Sequence, residues 1–372
     1  MPQRIIIAVA AVTALLVLPA APAFAHGGGG SDASNFASTI NGLATLDGKG
    51  NPAGPPVDPP DVEWRVLAND ALLQVTNRSG QELAVPGYSG EPYLRVGPEV
   101  VWVNRNSPAY YLNSDRYAQA SVPEGVSAEA EPDWVKVSSK PVSAWHDHRI
   151  HWMSPALPPQ VVATRAEQAV TVNDWVVPFT IGSRQLAVTG QLRWFPPTPW
   201  WPWLLAGLAV TGLPLVTALR RPAGAGRRLA LIRAGAVVLG VLAAVDVVHA
   251  VDDVLAVPLG FTQNALAFLQ STLSIAIAGW GAYRGWRGDD GAPAALAIGA
   301  GALAVGSGLT HLPTLVSSQV ATVLPVWFSR AVIAANLAVA ASVGFAVWRG
   351  REPLPAPLPP GDEPTPATGD VP

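Results

Sequence analysis

The chain has 372 residues and no cysteine, and 23 Lys plus Arg against 26 Asp plus Glu give a formal charge of −3. Only 13% of the residues are charged and 49% are hydrophobic, whereas about 25% of an ordinary soluble protein is charged. This composition excludes a disordered chain, a disulfide scaffold, a thiol enzyme and a nucleic-acid binder with a broad basic face.

Residues 1–25 have the pattern of a secretory signal peptide. Arg4 precedes an apolar run from Ile5 to Leu18, and Ala23-Phe24-Ala25 supplies the small residues of a cleavage site. Cleavage there makes His26 the mature N-terminus. The alternative is an uncleaved first membrane helix, which the shortness of the apolar run disfavours.

The next segments predict an arm and then an all-β domain. Residues 26–61 are rich in Gly and Pro, and we interpret them as a flexible arm. From 62 to 197 short strand-like segments alternate with turn residues, and 169–179 and 185–194 have the pattern of a hairpin. Many short strands separated by turns predict an all-β, immunoglobulin-like sandwich.

The region 198–348 is predicted to be an all-α membrane bundle of five helices. Each apolar segment is long enough to cross about 30 Å of hydrocarbon at about 1.5 Å per residue. The five segments lie near 200–219, 229–249, 259–283, 292–311 and 322–347.

The distribution of arginine predicts the orientation of this bundle. Five arginines follow the first span, and further arginines follow the third and fifth, whereas the connections 250–258 and 312–321 contain no Lys or Arg. Because positive charge stays on the cytoplasmic side, we expect a multi-pass plasma-membrane protein whose β-domain is extracytoplasmic. The Pro-rich tail, 349–372, is then cytoplasmic and disordered.

This topology places all six histidines on the outer side, and three of them cluster. His146 and His148 share a face if their segment is a strand, and Met153 adds a thioether nearby. His151 points away unless a turn intervenes. Imidazole suits copper and zinc, and Met favours Cu(I). The alternative is a polar loop, or His and Trp packing at the membrane junction.

The new N-terminus is a second candidate ligand. The α-amine and the imidazole of His26 can chelate one metal ion, and nitrogen donors suit copper. The glycine run after it would let this terminus reach the rest of the domain.

Polar residues in the spans form a further candidate site. Asp246, His249 and Asp253 fall at i, i+3 and i+7, which is one face of a helix. His311 ends the fourth span, and His249, His311 or Arg330 could partner Asp246. Three interpretations remain open: a vestibule that receives a metal ion, one haem held by His249 and His311, or a structural polar clasp.

The layout resembles that of actinobacterial-type secreted-plus-membrane proteins, and in particular the copper-resistance proteins. In these a secreted β-domain that begins with His and a multi-span membrane protein occur separately or fused. The resemblance is carried by His26, His146, His148, His249 and His311. It implies copper binding or copper passage.

Three functions follow as hypotheses, and none is enzymatic, because no catalytic pair or nucleophile motif is present. The first is copper capture by the outer domain with delivery to the membrane site; zinc is the other candidate metal. The second is a membrane-anchored protein that docks another envelope protein without a metal. The third is a haem-binding electron carrier.

Overall fold

The computed structural model describes residues 33–57, 61–114, 116–257 and 261–350, with the backbone alone over 261–267. The predicted signal peptide, His26 and most of the predicted tail lie outside the described residues. Within them an antiparallel β region precedes a helical region.

Two antiparallel sheets make up the β region. The larger has the order β2-β1-β11-β10-β5-β6-β7-β8 and the smaller β3-β4-β9. The strands are β1 (Phe36–Leu46), β2 (Pro52–Ala53), β3 (Val62–Leu67), β4 (Leu72–Asn77), β5 (Leu83–Pro86), β6 (Pro92–Val96), β7 (Val101–Asn104), β8 (Trp134–Ser138), β9 (Val142–Trp145), β10 (Val170–Ile181) and β11 (Arg184–Trp194). Two short helices lie between strands, α1 (Pro108–Leu112) and α2 (Pro159–Ala163).

Both sheets contribute to one hydrophobic core. Leu73 and Val75 of β4 belong to the same buried cluster as Val177 and Phe179 of β10. The predicted hairpin is confirmed: β10 and β11 pair from Val170 opposite Trp194 to Ile181 opposite Arg184. The all-β character of this region is therefore as predicted, whereas the immunoglobulin-like strand order stays a prediction.

The prediction that residues 26–61 form a flexible arm is wrong for the residues that the structure describes, because these residues include β1. This strand pairs with β11 from Phe36 opposite Trp194 to Thr45 opposite Leu186. A register shift between Ile40 and Gly42 interrupts the pairing. Such a bulge breaks the alternation by which a strand is recognised, so the sequence pattern concealed an eleven-residue strand.

The helical region contains four helices that are long and apolar enough to cross a membrane among the residues described. They are α3 (Trp201–Leu219), α4 (Ala225–Ala256), α6 (Ala292–Leu303) extended by a π-helix (Ala304–Leu309), and α8 (Val326–Arg349). Helix α5 (Phe261–Arg287) lies where the third span is predicted, and α7 (Pro313–Val316) is a single turn. Four predicted spans thus correspond to membrane-compatible helices.

Small residues let these helices approach closely, as is usual in membrane bundles. A Cβ at Gly207 of α3 would lie 2.6 Å from the carbonyl oxygen of Ala334 in α8. A Cβ at Gly281 of α5 would lie equally close, 2.6 Å, to the carbonyl oxygen of Ala295 in α6. The helix positions are therefore fixed by backbone contact, which also fixes the polar side chains that they carry.

The β region sits on one end of the helical region. Val257, which follows α4, and Ala321, which precedes α8, pack against the buried cluster of Ala68, Ala71 and Leu72. The backbones of Ser34 and Gln319 exchange two hydrogen bonds of 2.9 Å. The end of α4 and the segment between the π-helix and α8 thus meet the β region.

Candidate metal centre

Helix α4 carries the acidic and histidine side chains near the end that meets the β region. Asp246, His249 and Asp252 are all buried, and Asp253 is partly exposed. The helical spacing predicted from the sequence places Asp246, His249 and Asp253 on one face, and the structure has them on one continuous helix.

Three side chains converge there around one carboxylate oxygen. Oδ2 of Asp253 lies 3.5 Å from Nδ1 of His249 and 3.1 Å from Nε2 of His311. The two imidazole rings meet edge to face, with centroids 5.0 Å apart. In the described part of the chain, this is the one group of three or more His, Cys, Asp or Glu side chains whose ligand atoms lie within 4.8 Å of one another.

The π-helix orients His311. Nδ1 of His311 lies 2.9 Å from the carbonyl oxygen of Ser307, four residues earlier. A carbonyl oxygen only accepts, so Nδ1 carries the hydrogen, an assignment that follows from the hydrogen-bond network. Isolated π turns occur often at functional sites. The result is that Nε2, the other ring nitrogen, points at Asp253.

This orientation has a chemical consequence. With its hydrogen on Nδ1, a neutral His311 presents a lone pair on Nε2, and the carboxylate of Asp253 also presents lone pairs, 3.1 Å away. Two acceptors attract each other only through a proton or a metal cation between them. A backbone carbonyl that fixes the ring through its other nitrogen is the usual support of a metal-bound histidine. Two imidazoles and a carboxylate suit zinc or copper.

Asp252 has a different role, although it is the neighbour of Asp253. Its Oδ2 accepts a hydrogen bond from Oγ1 of Thr322 at 2.5 Å. Its Oδ1 accepts from the backbone N–H groups of Val323 and Leu324, each at 2.9 Å. Asp252 therefore ties the segment that precedes α8 to the end of α4.

Asp246 is not part of the three-residue group. Its Oδ1 accepts hydrogen bonds from Oγ of Ser307 and Nδ2 of Asn336, both at 2.8 Å. The predicted partnership with Arg330 is wrong, because Arg330 donates to the carbonyl oxygens of Thr314 and Ser317. The sequence analysis did not single out Ser307, whose hydroxyl donates to Asp246 and whose carbonyl oxygen accepts from Nδ1 of His311.

The clustered histidines of the β region, His146, His148 and His151, do not lie on a strand. Strand β9 ends at Trp145, and the chain then turns. Buried Asp147 accepts from Nε1 of Trp145 at 2.9 Å and forms an ion pair with Arg149 at 2.6 Å. Burial opposes ionisation of Asp147, but the charge and hydrogen bonds of Arg149 outweigh it and lower the pKa of this carboxyl. The prediction that His146 and His148 share a strand face is wrong, because this ion pair closes a turn between them.

The turn instead brings His151 next to His148. Their ring centroids are 5.3 Å apart, and Sδ of Met153 lies 3.1 Å from Nε2 of His151. Nε2 also lies 2.6 Å from the carbonyl oxygen of Arg116, so it carries the ring hydrogen. Nδ1 is buried and has no hydrogen-bond partner. His146 turns elsewhere, with Nδ1 2.8 Å from the carbonyl oxygen of Ala71.

Burial keeps His151 uncharged. Desolvation and then the nearby charge of Arg116 lower the pKa of its imidazole to about 3 from an ordinary 6.5. At neutral pH the ring is therefore neutral and holds a bare lone pair on Nδ1, which is the form of histidine that binds metals.

The fold and these sites define a membrane protein with an antiparallel β region and a His–Asp–His group at the junction with its helices. Comparison with known proteins found no matching family model, no similar curated protein and no similar solved structure.

Proposed function

We propose that this protein binds a transition-metal ion in its helical region through His249, Asp253 and His311. The observation that carries the proposal is the convergence of two imidazole nitrogens and one carboxylate oxygen within 4.8 Å. The facing lone pairs of His311 and Asp253 give this group an affinity for a cation. Copper is the metal that the family resemblance implies, and zinc suits the same donors.

In this proposal the protein crosses the plasma membrane five times, with the β-domain outside and the tail inside. The arginines after the first, third and fifth spans support this orientation. Trp200 and Trp201, which are exposed at the start of α3, suit the outer aromatic belt. Because the metal group lies at the end of α4 that meets the β region, it then opens towards the outside.

The β-domain captures the ion in this proposal. His148, His151 and Met153 are the residues that the turn brings together, and His26 supplies a further chelating terminus. The neutral state of His151 and its unpartnered Nδ1 support ligation. Met153 lies beside Nε2, which carries the ring hydrogen, so it is a weaker candidate ligand in this conformation. His146 takes no part in the ring contact between His148 and His151, and is the weaker candidate of the original pair. The ion then passes from this domain to the helical centre.

Two other functions receive less support. In a haem site the macrocycle separates its two axial imidazoles, whereas the rings of His249 and His311 are in edge contact at 5.0 Å. A membrane-anchored protein that binds another envelope protein without a metal does not require metal ligands that converge on one point. In a protein without a metal, a protonated His311 would pair with Asp253 as a structural clasp between helices, and metal-binding measurements distinguish this clasp from ligation.

The test is metal binding by the purified full-length protein. Stoichiometry by elemental analysis and affinity by calorimetry are measured for Cu(II) and Zn(II). We expect His311→Ala and His249→Ala to lose the ion. Thr211→Val is the matched control, because Thr211 is a buried polar residue of the same region that bonds Ser342 instead. Unchanged affinity in both histidine variants would refute the proposal.

A further inference from the structure

The end of the helical region that lies away from the β region is strongly basic. Residues 219–233, 283–291 and 347–350 form this end, and they contain eight arginines and two aspartates. Helix α4 has 32 residues, so its basic start lies about 48 Å, at about 1.5 Å per residue, from the end that meets the β region. The positive charge is therefore remote from the candidate metal centre.

Five of these arginines are exposed and are not neutralised by the protein around them. We call the five the arginine rim: Arg220, Arg221, Arg228, Arg233 and Arg287. None of them forms an ion pair with another residue in the described part of the chain. Asp289, a carboxylate at this end, instead accepts two hydrogen bonds of 2.9 Å from Arg284, which is not part of the rim. The rim therefore presents its positive charge to a partner outside the described fold.

The arginine rim surrounds the start of α4. The connection from α3 to α4 carries two of its members. A Cβ at Gly350, which follows α8, would lie 3.6 Å from Cγ of Arg228. A Cβ at Gly288, which follows α5, would lie 2.6 Å from Cδ1 of Leu229. The ends of α5 and α8 therefore contact the start of α4, and these contacts gather the rim on one surface.

Aromatic side chains hold two of the rim arginines. The guanidinium of Arg233 lies 5.6 Å from the ring centroid of Trp286, and its Nε donates to the carbonyl oxygen of Trp286 at 3.3 Å. The guanidinium of Arg287 lies 5.9 Å from the ring centroid of Tyr283, and its Nη1 donates to the Tyr283 hydroxyl at 3.0 Å. Both aromatic residues are more than half exposed. Exposed Trp and Tyr are characteristic of the headgroup level of a membrane protein, so these arginines lie at the depth of lipid phosphates.

Exposed apolar side chains continue from the rim along the same helices. Val216 of α3, Val237 of α4 and Trp280 of α5 are 46, 47 and 45% exposed. Each lies one or two helical turns from a rim arginine. A ligand that covers both the charges and these side chains must combine an anionic head with apolar chains. A phospholipid has this form, whereas an acidic soluble protein would cover only the charges.

We propose that the arginine rim binds anionic phospholipids. The lipid phosphate contacts the guanidinium groups, and the acyl chains cover the apolar side chains beside them. The planar guanidinium matches a phosphate through two parallel N–H···O hydrogen bonds, and basic segments beside membrane spans attract anionic lipids. In the orientation proposed above, these lipids belong to the cytoplasmic leaflet. The lipid site does not depend on metal binding.

The test compares two spin-labelled lipids. The full-length protein is reconstituted in phosphatidylcholine vesicles that contain a trace of spin-labelled phosphatidylglycerol or of spin-labelled phosphatidylcholine. Electron spin resonance then measures the fraction of each label that the protein immobilises. We expect the wild type to immobilise more phosphatidylglycerol, and the difference to shrink as the salt concentration rises, because salt screens exposed charges. Equal immobilisation of the two lipids by the wild type overturns the proposal.

Substitutions locate the preference on the rim. We expect the variant in which all five rim arginines are replaced by glutamine to lose the preference for phosphatidylglycerol, and Arg233→Gln combined with Arg287→Gln to reduce it. The control, Arg184→Gln combined with Arg193→Gln, removes two exposed arginines of β11 in the β region and should retain the preference. An unchanged preference in the variant without the rim overturns the proposal.

Two other occupants of the rim give different results. Inorganic phosphate that displaces the labelled lipid, where chloride at the same ionic strength does not, would show that free phosphate is the ligand and overturn the lipid site. Residues 352–372 contain four acidic side chains, Glu352, Asp362, Glu363 and Asp370. A lipid preference that arises only after these residues are removed would show that this segment covers the rim, and it too would overturn the proposal.

Discussion

Asp252 and Asp253 are consecutive residues of α4 that serve opposite purposes. Asp252 accepts hydrogen bonds from Thr322, Val323 and Leu324, whereas Oδ2 of Asp253 faces His249 and His311. The first carboxylate ties two segments of the fold together, and the second has two imidazole nitrogens as its neighbours.

The two carboxylates therefore predict opposite outcomes for one chemical change. Asp252→Asn replaces one acceptor oxygen by an amide NH₂ group, which cannot accept hydrogen bonds from Thr322, Val323 and Leu324. We therefore expect the free energy of unfolding to fall by about 1–3 kcal/mol because hydrogen bonds are lost. The number of bound metal ions should not change. Asp253→Asn should abolish metal binding with a smaller effect on unfolding. Thermal unfolding and elemental analysis of the full-length variants check both. The reverse pattern would contradict the division of roles.

The stability of the β region should depend on pH through His151. Its pKa is about 3 in the folded protein against 6.5 ordinarily, so between these values the unfolded chain binds a proton that the folded chain does not. The contribution of His151 is complete above pH 6.5 and declines as the pH falls, by about 1.4 kcal/mol per pH unit. Denaturant unfolding from pH 7 to pH 4, followed by tryptophan fluorescence, measures it.

His151→Gln removes this titration, so we expect a shallower decline in the variant than in the wild type. A chelator in both series separates the effect of protons from that of metal ions. Parallel declines would show that His151 is not the responsible group.

Two glycines of α3 predict a contrast in helix packing. A Cβ at Gly207 would meet Ala334 at 2.6 Å, whereas nothing lies within 4 Å of a Cβ at Gly212. Gly207→Ala should therefore destabilise the helical region by about 1–3 kcal/mol through overpacking. Gly212→Ala should be neutral or slightly stabilising, because alanine is the better helix former. Thermal unfolding in detergent compares them, and equal midpoints would argue against the contact.

The proposed orientation can be checked because the chain has no cysteine. Ser121→Cys and Arg221→Cys introduce single thiols at exposed positions, one in the β region and one after α3. In intact cells a membrane-impermeant thiol reagent should label only the first. Permeabilised cells, in which both should react, are the control. Labelling of Arg221→Cys in intact cells would invert the topology.

Sequence periodicity was sufficient for the parts of the fold that repeat regularly. The alternation of β10 and β11 predicted the hairpin, and apolar length predicted the long helices. Helical spacing alone placed His249 and Asp253 on one face of α4. Regular elements impose side-chain positions locally, so these relationships need no knowledge of the rest of the molecule.

Sequence patterns did not predict side-chain positions where the backbone is irregular, or where the contacting residue lies far away in the sequence. The bulge after Ile40 concealed β1, and the turn closed by Asp147 and Arg149 separated His146 from His148. The approach of His311 to Asp253 depends on the π-helix and on helices far apart in sequence. No spacing rule connects residues 253 and 311, so the sequence could name both as candidates but could not join them.

The apolar contact of Val257 and Ala321 with Ala68, Ala71 and Leu72 bears on how the protein can be prepared. A secreted fragment that stops after Phe195 would present this patch to water. It would also leave Ser34 and Asn35 without their partners Gln319 and Ser318. Such a fragment should aggregate or require a detergent, so the β region and the helical region are best regarded as one cooperative body.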